Sequence, residues 1–164
     1  MSEFSIRPAT PADHDTIGRL CVAAYVDAGF VPAGSDYAPV LADAATRARE
    51  ATLLAAVDGA GAIIGTVTFC RPGSTFAELP APGEAEFRML AVSAEARGRG
   101  VGEALVRECL DRARTHGDDA IVLSTQPEMR AAHRIYERLG FVRVPERDWY
   151  PVPDVRLLCY RLTL

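Results

Sequence analysis

The residues best suited to chemistry in this chain form a short stretch rich in glycine and arginine, Arg97–Gly102. It follows the apolar run Met89–Val92 after a short connection and precedes a segment with helical periodicity. Glycines let the backbone bend tightly and approach a ligand closely. A helix N-terminus offers unpaired N–H groups, and arginine side chains add charge-assisted hydrogen bonds. The stretch therefore predicts a phosphate or pyrophosphate site, the alternative being a flexible turn before a helix.

Two common phosphate-binding loops do not fit this stretch. A Walker loop needs a lysine, and all 18 basic residues of the chain are arginines. A dinucleotide-binding fingerprint needs Gly-x-Gly-x-x-Gly near the start of the fold, whereas Gly98–Gly102 has the pattern Gly-x-Gly-x-Gly and comes late in the chain. Hydride transfer to a dinucleotide is therefore not expected.

A second motif lies further along the chain, where the segment Ala132–Phe141 contains Tyr136 and ends in Gly140 and Phe141. Together the two motifs resemble the GNAT N-acetyltransferase superfamily. Its glycine-loop signature is Gln or Arg, two residues, Gly, one residue, then Gly or Ala, and Arg97 begins the match. The resemblance implies a GNAT-like α/β fold of three layers, in which helices flank a mixed, mostly antiparallel central sheet.

The resemblance also implies acetyl-CoA as cosubstrate and no metal. The pyrophosphate is expected on the backbone amides of residues 98–103, and the pantetheine arm on the backbone of residues 90–92. The family splays its sheet beside this strand, and a β-bulge is the device we expect to produce the splay. The residues so assigned to the cofactor are Leu90, Ala91, Val92, Arg97, Gly98, Arg99, Gly100, Val101, Gly102 and Glu103.

Tyr136 occupies the position of the family's usual general acid, which would protonate the departing CoA thiolate. On a helical wheel it lies on the apolar side of its helix with Met129, Ala132 and Leu139, so we expect it to point inward. The alternative is a core tyrosine whose hydroxyl finds a backbone partner.

Glu86 is the candidate base for the acceptor amine, because it precedes Leu90 on the same predicted strand. The alternative is a surface ion pair with Arg88, which strand alternation places on the same face. Glu84 is a second, weaker candidate. His133 is expected to be a solvated surface residue rather than a catalytic one.

One departure from the family pattern concerns Met129, where many relatives have an asparagine that contacts the pantetheine amide. A methionine cannot make that hydrogen bond. The main interpretation is an N-acetyltransferase acting on the primary amine of a small molecule or peptide by direct attack in a ternary complex. The alternative is a catalytically weak acyl-CoA-binding sensor of the same fold.

The elements needed to position these residues follow from the hydrophobic pattern. We predict the element order β-α-α-β-β-β-α-β-α-β-β, with no linker that would divide residues 1–164, so a single domain is expected. The predicted strands cover residues 4–6, 52–57, 62–69, 84–92, 120–124, 141–144 and 155–162. The predicted helices cover residues 11–27, 40–50, 101–115 and 128–139.

Composition narrows the class of partner. The chain of 164 residues has a formal net charge of -4, which disfavours nucleic-acid partners, including charged tRNA. It has no apolar run long enough for a membrane span and no signal peptide, so a cytoplasmic protein is expected. Its four cysteines lie far apart, which argues against a zinc site. A homodimer is left open.

The acceptor is expected to be chosen by three connecting segments, residues 25–37, 71–83 and 145–154. They combine aromatic side chains with carboxylates, a composition that suits a small cationic amine.

Overall fold

An eight-stranded sheet separates two groups of helices in the computed structural model, which describes residues 3–79 and 81–164. The strands are β1 Phe4–Pro8, β2 Thr52–Asp58, β3 Ile63–Cys70, β4 Glu84–Val92, β5 Ala120–Thr125, β6 Val142–Arg143, β7 Trp149–Val152 and β8 Val155–Thr163. The helices are α1 His14–Val22, α2 Tyr37–Ala42, α3 Ala44–Glu50, α4 Val101–Thr115 and α5 Arg130–Arg138. Among the described residues, no helix is long and apolar enough to cross a membrane.

The strand order along the sheet is β1-β2-β3-β4-β5-β8-β6, and β7 pairs with β8 off this path. Every strand pair is antiparallel except β4 with β5. That one parallel pair requires a crossover, and α4 supplies it. This mixed, mostly antiparallel sheet between helices confirms the predicted fold class.

Each face of the sheet carries its own apolar cluster, which is why the central strands are buried on both sides. Helices α1–α3 cover one face through residues that include Ile17, Cys21 and Leu41, packed with Met89 and Ala91 of β4. Helices α4 and α5 cover the other face. Their cluster includes Val101, Leu105, Val106, Cys109, Tyr136, Phe87 and Phe141. All four cysteines are buried and free, as small apolar side chains.

The predicted element pattern differs from the structure in the N-terminal helices. The helix predicted over residues 11–27 begins with a 3₁₀ turn, Pro11–Asp13, and its last five residues, Ala23–Asp27, form a π-helical turn. The helix predicted over residues 40–50 is two helices, because the Asp43 side chain accepts a hydrogen bond from the Thr46 amide and starts α3 afresh.

Strand β7 was not predicted, because its Pro151 and the neighbouring polar residues are typical of a loop. It pairs with β8 and forms a hairpin beside the carboxyl end of β5.

Candidate functional site

The central feature of the site is the point where β4 and β5 separate. The two strands pair only from Glu84 with Ala120 to Glu86 with Val122. Beyond that point β4 continues to Val92 and β5 to Thr125 without pairing to each other. The expected splay of the sheet is therefore present.

A β-bulge in β4 lies just beyond this separation, as expected. The register with β3 shifts between Thr66, opposite Ala91, and Thr68, opposite Arg88, so β4 carries one extra residue. Met89 has a φ of 56°, and it is the one non-glycine residue with positive φ among the described residues. The extra residue reverses the alternation of side chains, so Phe87 and Leu90 face the α4–α5 layer while Met89 and Ala91 face α1–α3.

The glycine loop has the backbone geometry that an anion site requires. Gly98 and Gly100 have φ values of 78° and 79°, a conformation that side chains disfavour. Space around both glycines is open, since a Cβ atom there would meet no atom within 4 Å. The Ala104 amide makes the first backbone hydrogen bond of α4, to the Gly100 carbonyl at 3.0 Å. No side chain caps the helix. The preceding amides of the first turn thus remain available to a ligand.

The charges around the loop are exposed and partly paired. Arg97 is exposed, and Arg99 contacts Glu3 at 3.2 Å. Glu103, in the first turn of α4, accepts from Arg138 at 2.8 Å and from Arg107 at 3.3 Å. The Arg138 hydrogen bond lowers the pKa of the Glu103 carboxyl, and the two arginines offset its charge where an anion would bind.

Tyr136 points inward, as its place on the helical wheel predicts. Only 4% of its surface is exposed, and its ring packs among Phe87, Phe141 and Tyr160, with ring centroids 5.8 Å away in each case. Burial raises the pKa of its hydroxyl. Within the described part of the chain, no backbone group accepts a hydrogen bond from that hydroxyl, contrary to the alternative of a satisfied core tyrosine.

Glu86 is 1% exposed, so the alternative of a surface pair with Arg88 is wrong. One carboxylate oxygen, Oε1, accepts from the amides of Glu78 and Leu79 at 2.9 Å each. The other, Oε2, is buried with no hydrogen-bond partner among the described residues. Burial raises the pKa of this carboxyl, and the two amide bonds offset part of the shift. Such a group accepts protons at a higher pH than an ordinary glutamate.

Arg88 instead holds the segment of residues 71–83, of which Pro80 lies outside the described residues. The Arg88 guanidinium forms an ion pair with Glu78 at 3.1 Å and donates to the Phe76 carbonyl at 2.8 Å. It also lies 4.8 Å from the centre of the Phe76 ring. It also donates to the Tyr37 hydroxyl at 3.1 Å. Two of the three predicted acceptor segments therefore meet above β4, beside Glu86.

Glu84 is unsuited to be a base. Its carboxylate receives two hydrogen bonds from Arg147, at 2.8 and 3.0 Å, and one from Arg161 at 2.7 Å. Burial acts to raise its pKa, but the two arginines outweigh that effect and the pKa is lowered. Glu84 fastens the start of β4 to β8 and to the segment before β7.

His133 differs from the prediction of a solvated surface residue. It is half-buried, its Nε2 lies 3.0 Å from the Gln126 carbonyl, and its ring contacts Tyr160. Burial lowers its pKa. Met129 stands just before α5, where the Thr125 hydroxyl approaches its sulfur at 3.9 Å.

Tyr25 and Trp149 lie in the predicted acceptor segments, but their hydrogen-bond partners, and the role of Gln126, were not identified from the sequence. Trp149 donates from its indole to the Ser124 hydroxyl at 2.9 Å, which places the β7–β8 hairpin at the end of β5. Gln126 donates to the Phe30 carbonyl at 3.1 Å, and the Tyr25 hydroxyl donates to the Leu90 carbonyl at 2.9 Å. These contacts join distant segments, so local sequence carried no signal for them beyond the polar and aromatic residue types.

Comparison with known proteins identifies a family. Residues 19–141 match the model of the family described as "Acetyltransferase (GNAT) family". The N-acetylaspartate synthetase of Danio rerio is 40% identical over 70 residues, which are 43% of this chain and 25% of that protein. The chain therefore matches about a quarter of that relative's length.

Solved structures share the fold over nearly the whole chain. A GNAT acetyltransferase from Staphylococcus aureus Mu50 superposes with a TM-score of 0.79 at 16% identity, over 98% of both chains. The protein yncA from Salmonella typhimurium, solved with its cofactor acetyl-CoA, gives a TM-score of 0.68 at 22% identity, over 99% of this chain and 94% of that one.

The β7–β8 hairpin that carries Trp149 depends on Asp148, whose carboxylate accepts from Arg143 and Arg156 and from the Cys159 amide. The Arg143 hydrogen bonds are the main reason that the pKa of Asp148 is lowered to about 2. A carboxyl whose pKa is lower in the folded than in the unfolded protein stabilises the folded state at pH values above its unfolded pKa of about 4. Asp148→Asn should therefore lower the free energy of unfolding at pH 7 by about 2 kcal/mol.

This difference between wild type and variant should shrink as the pH falls from about 4 to about 2, where Asp148 itself becomes protonated. Urea unfolding at a series of pH values measures it. Asp154→Asn, an exposed change in the same hairpin, is the control and should leave the unfolding free energy unchanged. An Asp148→Asn deficit of equal size at every pH would contradict the electrostatic account.

Proposed function

The chain belongs to the acetyltransferase (GNAT) family, and we propose that it transfers the acetyl group of acetyl-CoA to the primary amine of a small molecule or peptide. The transfer is a direct attack in a ternary complex. The observation that carries this proposal is the open glycine loop at the start of α4, next to a sheet that parts between β4 and β5. A relative of the same fold is described with acetyl-CoA as its cofactor.

The residues present fit acetyl-CoA. Positive φ values at Gly98 and Gly100, and open space at both, leave room for a pyrophosphate against the amides of residues 98–103. Arg97 and Arg99 are exposed beside it, and Val101, Gly102 and Glu103 form the first turn of the helix. The pantetheine arm would lie along the backbone of Leu90, Ala91 and Val92, where β4 has no β5 partner.

Acetyl-CoA, when bound, supplies an acetyl group activated as a thioester. Glu86 would take a proton from the acceptor amine at its free oxygen, Oε2, directly or through one water. Tyr136 would give its hydroxyl proton to the thiolate of CoA as the carbon–sulfur bond breaks. The hydroxyl is protonated at neutral pH, as an ordinary tyrosine is, and its burial, which raises its pKa, makes it a weaker acid that donates only once the thiolate charge forms beside it.

The surroundings of Glu86 support a small cationic acceptor. Tyr37 and Phe76 provide aromatic surface, and Glu78 and Glu86 together carry more negative charge than Arg88 neutralises when both are ionised. The cytoplasmic location, the homodimer and the single-domain organisation stay predictions.

A sensor that binds acetyl-CoA without efficient turnover is the second candidate, and Met129 favours it. Met129 stands just before α5, at the position where the family resemblance implies an asparagine that contacts the pantetheine amide. Measuring CoA release with a panel of primary amines separates the two functions. Turnover with any amine supports the enzyme, and tight acetyl-CoA binding without release supports the sensor.

Gly100→Val should abolish acetyl-CoA binding, because a side chain at φ 79° strains the loop and fills the space reserved for the pyrophosphate. Gly117→Val is the matched control, since Gly117 has a φ of 75° and equally open space at the other end of α4. Calorimetry should show binding by the control and none by Gly100→Val. Unchanged affinity in a folded Gly100→Val protein would refute the site.

Tyr136→Phe should lower kcat on the order of ten- to a thousandfold while leaving acetyl-CoA affinity nearly unchanged, because the hydroxyl acts at thiolate departure. Tyr160→Phe is the control, since that ring packs against Tyr136 and its own hydroxyl contacts Glu137 instead. Full activity in Tyr136→Phe would leave solvent as the proton donor.

Glu86→Gln should lower kcat/KM most at pH values above the raised pKa of the Glu86 carboxyl and below the pKa of the amine, about 10 for an alkyl amine. In that range the acceptor is protonated and the wild-type carboxylate is ionised. The amide oxygen can still accept from Glu78 and Leu79, so the loop is retained.

Rates of CoA release across pH measure this effect, with Glu78→Gln as the control that changes the neighbouring acid. The Glu86→Gln deficit should disappear as the pH approaches the pKa of the amine. An equal deficit at every pH would show that Glu86 binds the charge of the acceptor instead of taking its proton.

A further inference from the structure

The bulge of β4 is held from outside the sheet by Tyr25. The Tyr25 hydroxyl donates to the Leu90 carbonyl at 2.9 Å, linking residues 65 positions apart in the chain. Leu90 follows Met89, whose φ of 56° is costly for a side chain that large. Such a conformation persists only where the surrounding structure holds it, and Tyr25 is a partner that reaches the next carbonyl.

Tyr25 is itself firmly placed. It lies in the π-helical turn Ala23–Asp27, a rare wide turn that often occurs at functional sites. Its carbonyl accepts from the amides of Phe30 and Val31, at 2.9 and 2.8 Å, which fixes the chain that leaves the turn. The hydroxyl is therefore delivered to β4 by a fixed backbone rather than by a mobile loop.

The Tyr25 hydroxyl keeps its proton and so remains a hydrogen-bond donor. Burial is the main cause that raises the pKa of Tyr25 well above its usual value, and the Tyr136 hydroxyl adds to the shift. The two tyrosines thus approach the space beside β4 from opposite helical layers, Tyr25 from the α1 layer and Tyr136 from α5. Tyr25 remains protonated at any pH used to assay the protein.

We propose that Tyr25 is a positioning residue that fixes the β4 bulge in the conformation that receives the thioester end of acetyl-CoA. It acts through Leu90, whose backbone is among the groups assigned to the pantetheine arm. This inference rests on the proposed function. The nucleotide end of acetyl-CoA is held separately at the start of α4, so it should be insensitive to Tyr25.

Tyr25→Phe tests the role, because it keeps the ring and removes only the donor. By calorimetry, acetyl-CoA should bind about five- to tenfold more weakly to the variant, the range expected for one lost hydrogen bond. Adenosine 3′,5′-bisphosphate, the nucleotide part of CoA, should bind as it does to wild type. General loosening of the fold would weaken both ligands, so the selective loss is specific to positioning.

Tyr160→Phe is the matched control, since it too keeps a packed ring and removes one hydroxyl, which contacts Glu137 rather than β4. Hydrogen–deuterium exchange of the unliganded protein gives an independent measurement. Backbone amides of residues 89–92 should exchange faster in Tyr25→Phe, while those of α4 and of β1 should not change.

Unchanged exchange at residues 89–92, or equal weakening of both ligands, would overturn the proposal. These outcomes are distinct from failure of the proposed function. If wild type bound neither acetyl-CoA nor the nucleotide, the function would fail, while the exchange measurement would still decide whether Tyr25 holds the bulge.

Discussion

The site depends on one constraint, which is that β4 must leave β5 after Glu86 while remaining paired with β3 to its end. A regular strand runs alongside its neighbour, whereas an extra residue bends the strand and increases its local twist. The bulge at Met89 provides this bend, but it leaves a buried non-glycine residue with a positive φ. It also reverses the alternation of side chains, so Met89 and Ala91 join Glu86 on the face covered by the α1 layer.

Two carboxylates at the start of β4 lie in opposite electrostatic environments. Glu84 is surrounded by arginine hydrogen bonds, and its pKa is lowered despite burial. Glu86 lies two residues further, where the β5 partner ends, and it receives amide bonds on one oxygen only. Its pKa is raised. Carboxylates whose environments push their pKa values apart take different roles. Here the saturated one fastens strands together, and the half-satisfied one faces the acceptor segments.

Much of the fold was predictable because α4 and the central strands carry strong periodic patterns, and the glycine loop begins α4 as expected. Tyr136 was also placed correctly, since its helical face determines its direction. The failures involve one local contact, the Asp43 cap that starts a new helix, and contacts between separate elements that the hydrophobic pattern does not show. Asp43 caps a helix inside a segment of good helix formers, and β7 forms around Pro151 because β8 offers it a partner. His133 is half-buried because the carbonyl of Gln126 turns toward its ring.

The gap between β4 and β5 has no direct strand pairing, yet its two sides are connected. Gln126, just after β5, donates to the Phe30 carbonyl, and the Phe30 amide donates to the Tyr25 carbonyl. The Tyr25 hydroxyl completes the path to Leu90 on β4. The segment after α1 therefore spans the divergence that the bulge creates and limits how far the strands can part. This bridge belongs to a connecting segment rather than to the sheet, and the same segment, residues 25–37, is one of the three predicted to choose the acceptor.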